Sequence, residues 1–221
     1  GIRSSGYANQ QKGNAMKIQE YQDKITSGAL DDLFTKLYPP RHTEHQKQRY
    51  LNAIAAFCKL YPDRKDIHIF SAPGRTEIGG NHTDHQHGCV IAATVTLDAV
   101  GIAAFHEEKV IRIYSEGYKA FTVSLNDLEV YSGREDASEI VRGIAAGFRN
   151  YGAAVGGFDM YITSDVLSGS GMSSSAAFEM LIAAAIDSCC NHSQTAAVEI
   201  AKIGQYAENV YFGKPSGLMD Q

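Results

Sequence analysis

The sequence has no long apolar run, no cluster of basic residues and no paired-cysteine motif. No stretch of its 221 residues is apolar for long enough to cross a bilayer, and no charged and then apolar leader precedes a small-residue cleavage site. A net charge of -5 without a run of Lys and Arg argues against a broad nucleic-acid surface. The four cysteines make no CxxC pair, which favours reduced, mostly buried thiols. We therefore expect a cytoplasmic protein without a membrane or nucleic-acid partner.

What the sequence does contain is the composition of a globular protein. Hydrophobic residues make up 44% and charged residues 20% of the chain, enough for a real core. Residues 1–15 are polar and aperiodic, so we expect a disordered leader or cloning remnant there, with Met16 as the native start. Residues 16–221 are expected to form one domain, with a helical part at 16–62 and a sheet with the motifs at 67–221. Because no closing element follows GLMDQ, we expect the chain to be part of a longer protein.

Hydrophobic periodicity predicts an α+β fold with a mainly antiparallel sheet. Helical spacing is interrupted near 27–32, where Ser27 or Asp31 is expected to cap a new helix, and a period of two begins at Ile67. Strands and helices do not alternate regularly, which argues against a βαβ repeat. The predicted elements in chain order are helices at 17–37 and 42–60, strands at 67–70 and 90–105, a hairpin at 110–125, a helix at 136–151, a strand at 157–165, and helices from 176 onward and at 194–210.

A dense set of polar groups follows the first predicted strand. The stretch SAPGRTEIGGNHTDHQHG, residues 71–88, holds an arginine, a glutamate, an aspartate and three histidines, and is expected to form a loop between two strands. Its glycines allow tight turns that present these side chains to a ligand. A metal site is the competing interpretation, since His82, Asp84, His85 and His87 are possible ligands. The stretch lacks the helical i, i+4 histidine pair of a zincin, which argues against that interpretation.

A glycine-serine loop precedes the most apolar predicted helix. In SGSGMSSSAAFE, residues 168–179, Gly169 and Gly171 permit close backbone approach to a ligand, and serines 173–175 stand where the helix begins. The free amides and positive dipole end of a helix N-terminus bind phosphate well. The stretch is not a Walker A motif, because no GKS or GKT follows, and not a dinucleotide fingerprint, because the G-x-G-x-x-G spacing fails. A plain serine-capped helix after a flexible turn is the alternative.

The third polar stretch is AENVYFGKPSGLMDQ, residues 207–221. Gly213 and Pro215 are expected to end a helix, and Asp220 follows a further glycine. A carboxylate at the end of such a loop can serve as a general base or as an electrostatic partner. Taken alone, a solvated loop acid or a helix cap explains Asp220 as well. Whether Glu208 lies near Asp220 depends on the fold.

Together, and in this order, the three stretches resemble the galactokinases of the GHMP small-molecule kinase superfamily. PGRTEIGGNHTDHQHG resembles a signature G-R-x-N-x-I-G-E-H-x-D-Y, SGSGMSSSAAFE resembles the phosphate loop G-x-G-L-S-S-S-A, and GKPSGLMDQ resembles a segment that ends in M-D-Q. The resemblance covers residues 67–221. It implies an α+β domain related to domain 2 of ribosomal protein S5, with a sugar and ATP as substrates and Mg²⁺ as a cofactor. It also implies a C-terminal domain, absent from this chain, without which the chain turns over sugar poorly or not at all.

The resemblance also assigns roles to individual residues. Arg75 and Asp220 match the catalytic pair, in which the arginine lies beside the reacting hydroxyl and the aspartate accepts its proton. Glu208 matches the acid that holds Mg²⁺ together with a loop serine, here Ser174. The matched sugar-binding positions are Asn81, His82, Asp84 and Gly217, and the matched ATP-binding positions are Gly169, Ser170, Gly171, Met172, Ser173, Ser174 and Ser175.

The sequence departs from the galactokinase pattern within the first stretch. Asn81 stands where galactokinases carry a glutamate, Glu77 replaces an asparagine, and Gly79 and His85 replace an isoleucine and a tyrosine. Loss of one charge-assisted hydrogen bond costs about 1–2 kcal/mol, unless a residue such as Glu77 compensates. These changes affect the identity of the sugar more than the class of reaction.

Three hypotheses about function follow from the resemblance. The first is ATP-dependent phosphorylation of the anomeric hydroxyl of galactose to galactose 1-phosphate. The second is a related sugar 1-kinase that acts on N-acetylgalactosamine, arabinose or a uronic acid. The third is a non-catalytic sugar and ATP sensor on the same fold, and the presence of both Arg75 and Asp220 argues against it.

Overall fold

The structure of the protein is a computed structural model that describes residues 15–80, 89–131, 133, 135–166 and 171–221. Apart from Ala15, the expected leader lies outside the described residues, as do the segments 81–88 and 167–170. None of the described helices is long and apolar enough to span a membrane.

Within the described residues, six strands and six α-helices build the fold. In chain order they are β1 (Met16–Lys17), α1 (Ile18–Thr26), α2 (Asp31–Leu37), α3 (Thr43–Leu60), β2 (Asp66–Gly79), β3 (Ile91–His106), β4 (Val110–Ser115), β5 (Phe121–Ser124), α4 (Ala137–Asn150), β6 (Gly157–Ser164), α5 (Ser174–Asn191) and α6 (Ala197–Tyr206). A 3₁₀ turn at Pro40–His42 precedes α3, and a π-helical turn at Ala207–Phe212 follows α6.

A glycine turn separates the first two helices. Gly28 adopts a left-handed φ of 81°, which ends the helical path of α1. The break predicted near 27–32 is confirmed, but the predicted cap is wrong. Ser27 is the C-terminal cap residue of α1, Asp31 is already helical, and Leu30, which precedes α2, supplies no side-chain cap. The left-handed glycine therefore sets the boundary, without a capping side chain.

The strands form one sheet in the order β1-β2-β3-β6-β4-β5. All neighbours are antiparallel except β4 and β6, which run parallel. In chain order α4 follows β5 and precedes β6, and it packs on one face of the sheet. This crossover lets β6 insert between β3 and β4. This arrangement confirms the predicted α+β class with a mainly antiparallel sheet.

Helices cover both faces of the sheet and create two apolar cores. Along β3 the side chains alternate: Ala99 and Ala103 contact the core under α4, α5 and α6, whereas Val100 and Ile102 contact the core under α1, α2 and α3. Burial of each large side chain contributes roughly 1.5–3 kcal/mol, so both helical layers stabilise the same sheet. The predicted packing of the N-terminal helices on the sheet domain is confirmed.

The polar stretch 71–88 begins as a strand rather than as the predicted loop. β2 continues to Gly79, and Arg75, Thr76 and Glu77 pair with β3 in regular register. The register shifts just before Arg75, next to Pro73, which has no amide hydrogen to donate to a ladder. Since side chains alternate along a strand, Arg75 and Glu77 lie on the same face of β2.

The predicted helix at 194–210 is a shorter α-helix followed by a π-helical turn. The change of helical type at Ala207 coincides with a close approach of α4: a Cβ added at Gly143 would lie 2.8 Å from the Cα of Ala207. Gly213, with a φ of 78°, ends the turn as predicted. The π-helical turn carries Glu208, and such turns often occur at functional sites.

Candidate active site

Parts of the three polar stretches meet in one open cleft of about 450 Å³. β2 supplies one wall, the start of α5 a second, and the loop after the π-helical turn a third. The described residues that line it are Arg75, Thr76, Glu77, Gly171, Ser173, Ser174, Ser175, Lys214 and Asp220.

Arg75 and Asp220 form an ion pair across 145 positions of sequence. The Arg75 Nε donates to Asp220 Oδ1 at 2.7 Å, and Nη2 donates to the same oxygen. Each side chain is only 12% exposed, so solvent screens the pair weakly. Arg75 Nη1 also donates to the carbonyl of Gly171 at 2.9 Å. The arginine thus joins the carboxylate to the glycine-serine loop.

β2 and the glycine-serine loop approach each other backbone to backbone. The Arg75 amide donates to the Met172 carbonyl at 3.2 Å. A Cβ added at Gly74 would lie 2.8 Å from the same carbonyl oxygen, closer than real Cβ atoms come. Glycine at position 74 therefore allows the close contact that places Arg75 beside the loop.

The N-terminus of α5 faces the cleft in a strained conformation. Ser173, which precedes the helix, has a left-handed φ of 53° and ψ of 55°, unusual for a residue other than glycine. Its Oγ is buried and has no hydrogen-bond partner among the described residues. The free amides of the first helical turn and the positive dipole end point to a site for an anion.

Glu208 lies below the loop serines with its side chain almost fully buried. Its Oε1 accepts a hydrogen bond from Ser175 Oγ at 3.3 Å and lies 3.5 Å from Lys214 Nζ. Ser174, the serine that the sequence pairs with Glu208, lines the cleft, but the serine in contact with the carboxylate is Ser175. A carboxylate beside a hydroxyl supplies the hard oxygen ligands that Mg²⁺ takes.

Sequence reasoning missed two residues beside Glu208. Glu179 of α5 is completely buried, and Gln221 donates hydrogen bonds to both glutamates. Burial, together with the negative charge of Glu208, raises the pKa of Glu179 to about 8. The signal was present in the sequence, because Glu179 is an acid within a helix that is otherwise apolar in this region.

Several predicted site residues lie outside the described residues. They are Asn81, His82, Asp84, Gly169 and Ser170, together with the histidines of the alternative metal site. Within the part of the chain that the structure describes, no group of three acidic, histidine or cysteine side chains could hold a metal ion. Gly217 is described and buried, but it does not line the cleft.

A buried polar network ties the strand of Arg75 to the N-terminal helices. Asp98 of β3 accepts hydrogen bonds from Ser71 Oγ and from Tyr38 OH, each at 2.5 Å, and pairs with Arg49 at 2.7 Å. Burial, Tyr50 and Asp98 raise the pKa of Tyr38 far above its ordinary value, so the phenol stays a donor. The network fixes β2 four residues before Arg75. In the sequence these residues occupy ordinary helix and strand positions, so the network could not be predicted.

The class of the protein follows from this fold and cleft together with two family models. The model of the GHMP kinases N terminal domain matches residues 139–221, and the galactokinase galactose-binding signature matches residues 55–105. A solved mevalonate kinase from Methanococcus jannaschii shares the fold at 21% identity and a TM-score of 0.55, over 69% of this chain and 49% of its own. Residues 139–221 thus match the N-terminal domain of the GHMP kinases, and the chain has the fold of that domain.

Galactokinases are among the relatives that the chain matches. The galactokinase of Lactococcus lactis subsp. lactis (strain IL1403) is 32% identical over 168 residues, which are 75% of this chain and 42% of the relative. A crystal structure of Lactococcus lactis galactokinase complexed with galactose matches at 30% identity and a TM-score of 0.70, over 75% of this chain and 43% of its own. The chain thus spans about two-fifths of the length of the galactokinases it matches.

Proposed function

We propose that the complete protein phosphorylates the anomeric hydroxyl of galactose with ATP, giving galactose 1-phosphate. This chain supplies the sugar-binding strand and the phosphate loop. The observation that carries the proposal is the Arg75–Asp220 ion pair in a cleft that also contains the N-terminus of α5. The galactokinase homologues and the relative complexed with galactose support the choice of substrate.

The glycine-serine loop is proposed to hold the phosphates of ATP. Phosphoryl transfer depends on positioning and on neutralising charge more than on covalent chemistry by the protein. The first amides of α5 are suitable donors for phosphate oxygens. The Ser173 hydroxyl, which has no partner in the part of the chain that the structure describes, lies at the same place. Lys214 adds a positive charge to the wall formed by the loop after the π-helical turn. Gly169 and Ser170 complete the loop in sequence.

Asp220 is proposed to accept the proton of the anomeric hydroxyl as that oxygen attacks the γ-phosphorus of ATP. The new bond joins the sugar oxygen to phosphorus, the bond to the bridging oxygen breaks, and ADP leaves. Arg75 already orients the Asp220 carboxylate and lies beside the loop, where it neutralises charge between the two substrates.

Glu208 and a loop serine are proposed to hold Mg²⁺. Their oxygens are ligands of the right chemistry, and the fold brings them together below the phosphate loop. Mg²⁺ bound there would neutralise charge on the phosphates. The sequence assigns the serine ligand to Ser174, whereas the contact with Glu208 favours Ser175.

Recognition of the sugar is proposed to involve the strand of Arg75 and the segment after it. Asn81, His82, Asp84 and Gly217 keep the roles that the sequence predicts. Glu77 lies on the same strand face as Arg75 and lines the cleft, and we propose that its carboxylate also binds a sugar hydroxyl.

We also infer that residues from Met16 onward are the N-terminal domain of a longer cytoplasmic kinase, whose C-terminal domain completes the nucleotide site. The share of the relatives' length that the chain covers supports the longer protein. The cysteines at 58, 89, 189 and 190 are free thiols, which supports a reducing compartment.

A panel of sugars offered to the purified full-length protein with ATP and Mg²⁺ tests the substrate. We expect kcat/KM for galactose to exceed the values for N-acetylgalactosamine, arabinose and galacturonic acid. The 221-residue chain alone serves as the control and should be at most weakly active. Preference for another sugar would reject galactose but keep a sugar 1-kinase, and no turnover of any sugar would support the sensor.

A further inference from the structure

Two buried carboxylates lie next to each other below the glycine-serine loop. Glu179 of α5 is fully buried and Glu208 of the π-helical turn is 1% exposed. The side-chain amide of Gln221 donates to Glu179 Oε2 at 2.9 Å and to Glu208 Oε2 at 3.0 Å. One amide therefore connects the two acids.

The fold alone gives no reason for an acid at position 179. The residue lies among apolar neighbours of α5, and its Oε1 is buried without a hydrogen-bond partner among the described residues. Burying a carboxylate with so few partners costs free energy, and an apolar side chain of similar volume is often at least as stable in such a place. Glu179 is thus expected to destabilise the fold locally, in a region of α5 whose other side chains are apolar and well packed.

α6 encloses the amide that joins the two acids. A Cβ added at Gly204 would lie 3.0 Å from Gln221 Cγ and 3.4 Å from Glu179 Oε2. The side chain of Gln221 therefore lies in a narrow space between α5 and α6. Its neighbour in sequence is Asp220, the partner of Arg75.

We propose that Glu179 is a positioning residue that acts through Gln221. By accepting the amide hydrogen bond, Glu179 fixes Gln221, and Gln221 holds one oxygen of Glu208 so that the other, Oε1, faces Ser175, which lines the cleft. The same bond fixes the residue next to Asp220, so one buried acid orients both the proposed metal ligand and the proposed base. The inference rests on the proposed function, in which Glu208 holds the metal of the nucleotide.

Two isosteric variants of the full-length protein separate this role from a structural one. The probe is the affinity for Mn²⁺ with a non-hydrolysable ATP analogue, measured by electron paramagnetic resonance without sugar. Glu179→Gln keeps an oxygen that accepts from Gln221 and should stay within about threefold of wild type. Glu179→Met keeps the volume but not the acceptor, and should bind the metal–nucleotide about 10–100-fold more weakly.

Thermal unfolding of the unliganded variants supplies the second readout. Glu179→Met should melt at or above the temperature of the wild-type protein, because it replaces an incompletely satisfied buried acid. If Glu179→Met does not fold, Gln221→Met removes the same connection and should show the same loss of affinity. A residue that serves only the fold would instead lower the melting temperature and leave affinity unchanged.

Equal metal–nucleotide affinity in Glu179→Met and the wild type would overturn the inference and leave the proposed function intact. Equally weak binding by Glu179→Gln and Glu179→Met would also overturn it, since charge and not the accepted hydrogen bond would then matter. If the wild-type protein bound no metal–nucleotide, the proposed function would fail and this inference with it.

Discussion

At the scale of single residues, the site is organised before any substrate arrives. Arg75 uses two nitrogens on Asp220 and the third on the Gly171 carbonyl, so neither charged side chain is free to rotate. Because both are nearly buried, the pair is oriented more firmly than an ion pair on the surface. Asp220, the proposed base, is held in this way and would lose little freedom on binding of the proposed sugar substrate.

The two adjacent loop serines give a matched test of the metal site. Ser175 contacts Glu208, whereas Ser174 lines the cleft without that contact. In the full-length protein, Ser175→Ala should raise the Mg²⁺ concentration needed for half-maximal rate about tenfold or more, because a proposed ligand oxygen is lost. Ser174→Ala should raise it less than about threefold. Measuring the rate as a function of Mg²⁺ concentration distinguishes the two serines. A larger effect of Ser174→Ala than of Ser175→Ala would assign the ligand role to Ser174, as the sequence predicts.

At the scale of elements, the contact between β2 and the glycine-serine loop builds the cleft. The sequence predicts a loop from Ser71 because polar residues, glycines and a proline dominate there. Pairing with β3 overrides that local composition and extends the strand to Gly79. The start of α5 was predictable, since serines before an apolar helix form a local signal. The left-handed backbone of Ser173 could not be predicted, because tertiary packing imposes it.

Two glycines of β2 test the importance of that contact. An alanine Cβ at position 74 would meet the Met172 carbonyl, whereas a Cβ at position 79 would have no heavy atom of the described residues within 4 Å. Gly74→Ala should therefore lower the free energy of unfolding by about 1–3 kcal/mol and reduce activity. Gly79→Ala should change that free energy by less than about 0.5 kcal/mol. Denaturant unfolding of the full-length variants measures both free energies. Equal stability of the two variants would show that the loop moves to accept the Cβ at position 74 without loss of stability.

At the scale of the whole molecule, two helical layers support one sheet and only one layer carries the cleft. The N-terminal layer supports the cleft without lining it. Arg49 and Tyr38 of this layer bind Asp98, which also binds Ser71 of β2 and so fixes that strand. Periodicity could predict the helices of this layer and their apolar faces. It could not predict the network, since its members are far apart in sequence and each resembles a common surface or core residue.

The candidate site was predictable to the extent that its residues lie in recognisable motifs. Arg75, Asp220 and Glu208 come from such motifs, and the structure brings Arg75 to Asp220 and Glu208 to the loop serines. Glu179 and Gln221 required the fold, because only packing of α5 against α6 puts one amide between two acids. Asn81, which is proposed to help select the sugar, lies outside the described residues.

Replacing Asp220 by asparagine in the full-length protein tests the central claim most directly. The variant keeps the shape of the side chain but cannot accept the proton of the sugar hydroxyl. We expect kcat for phosphorylation of galactose to fall by about 10²–10⁴-fold, while the dissociation constant of galactose changes less than about threefold. Phosphorylation by Asp220→Asn at the wild-type rate would contradict the account, whatever sugar the protein uses.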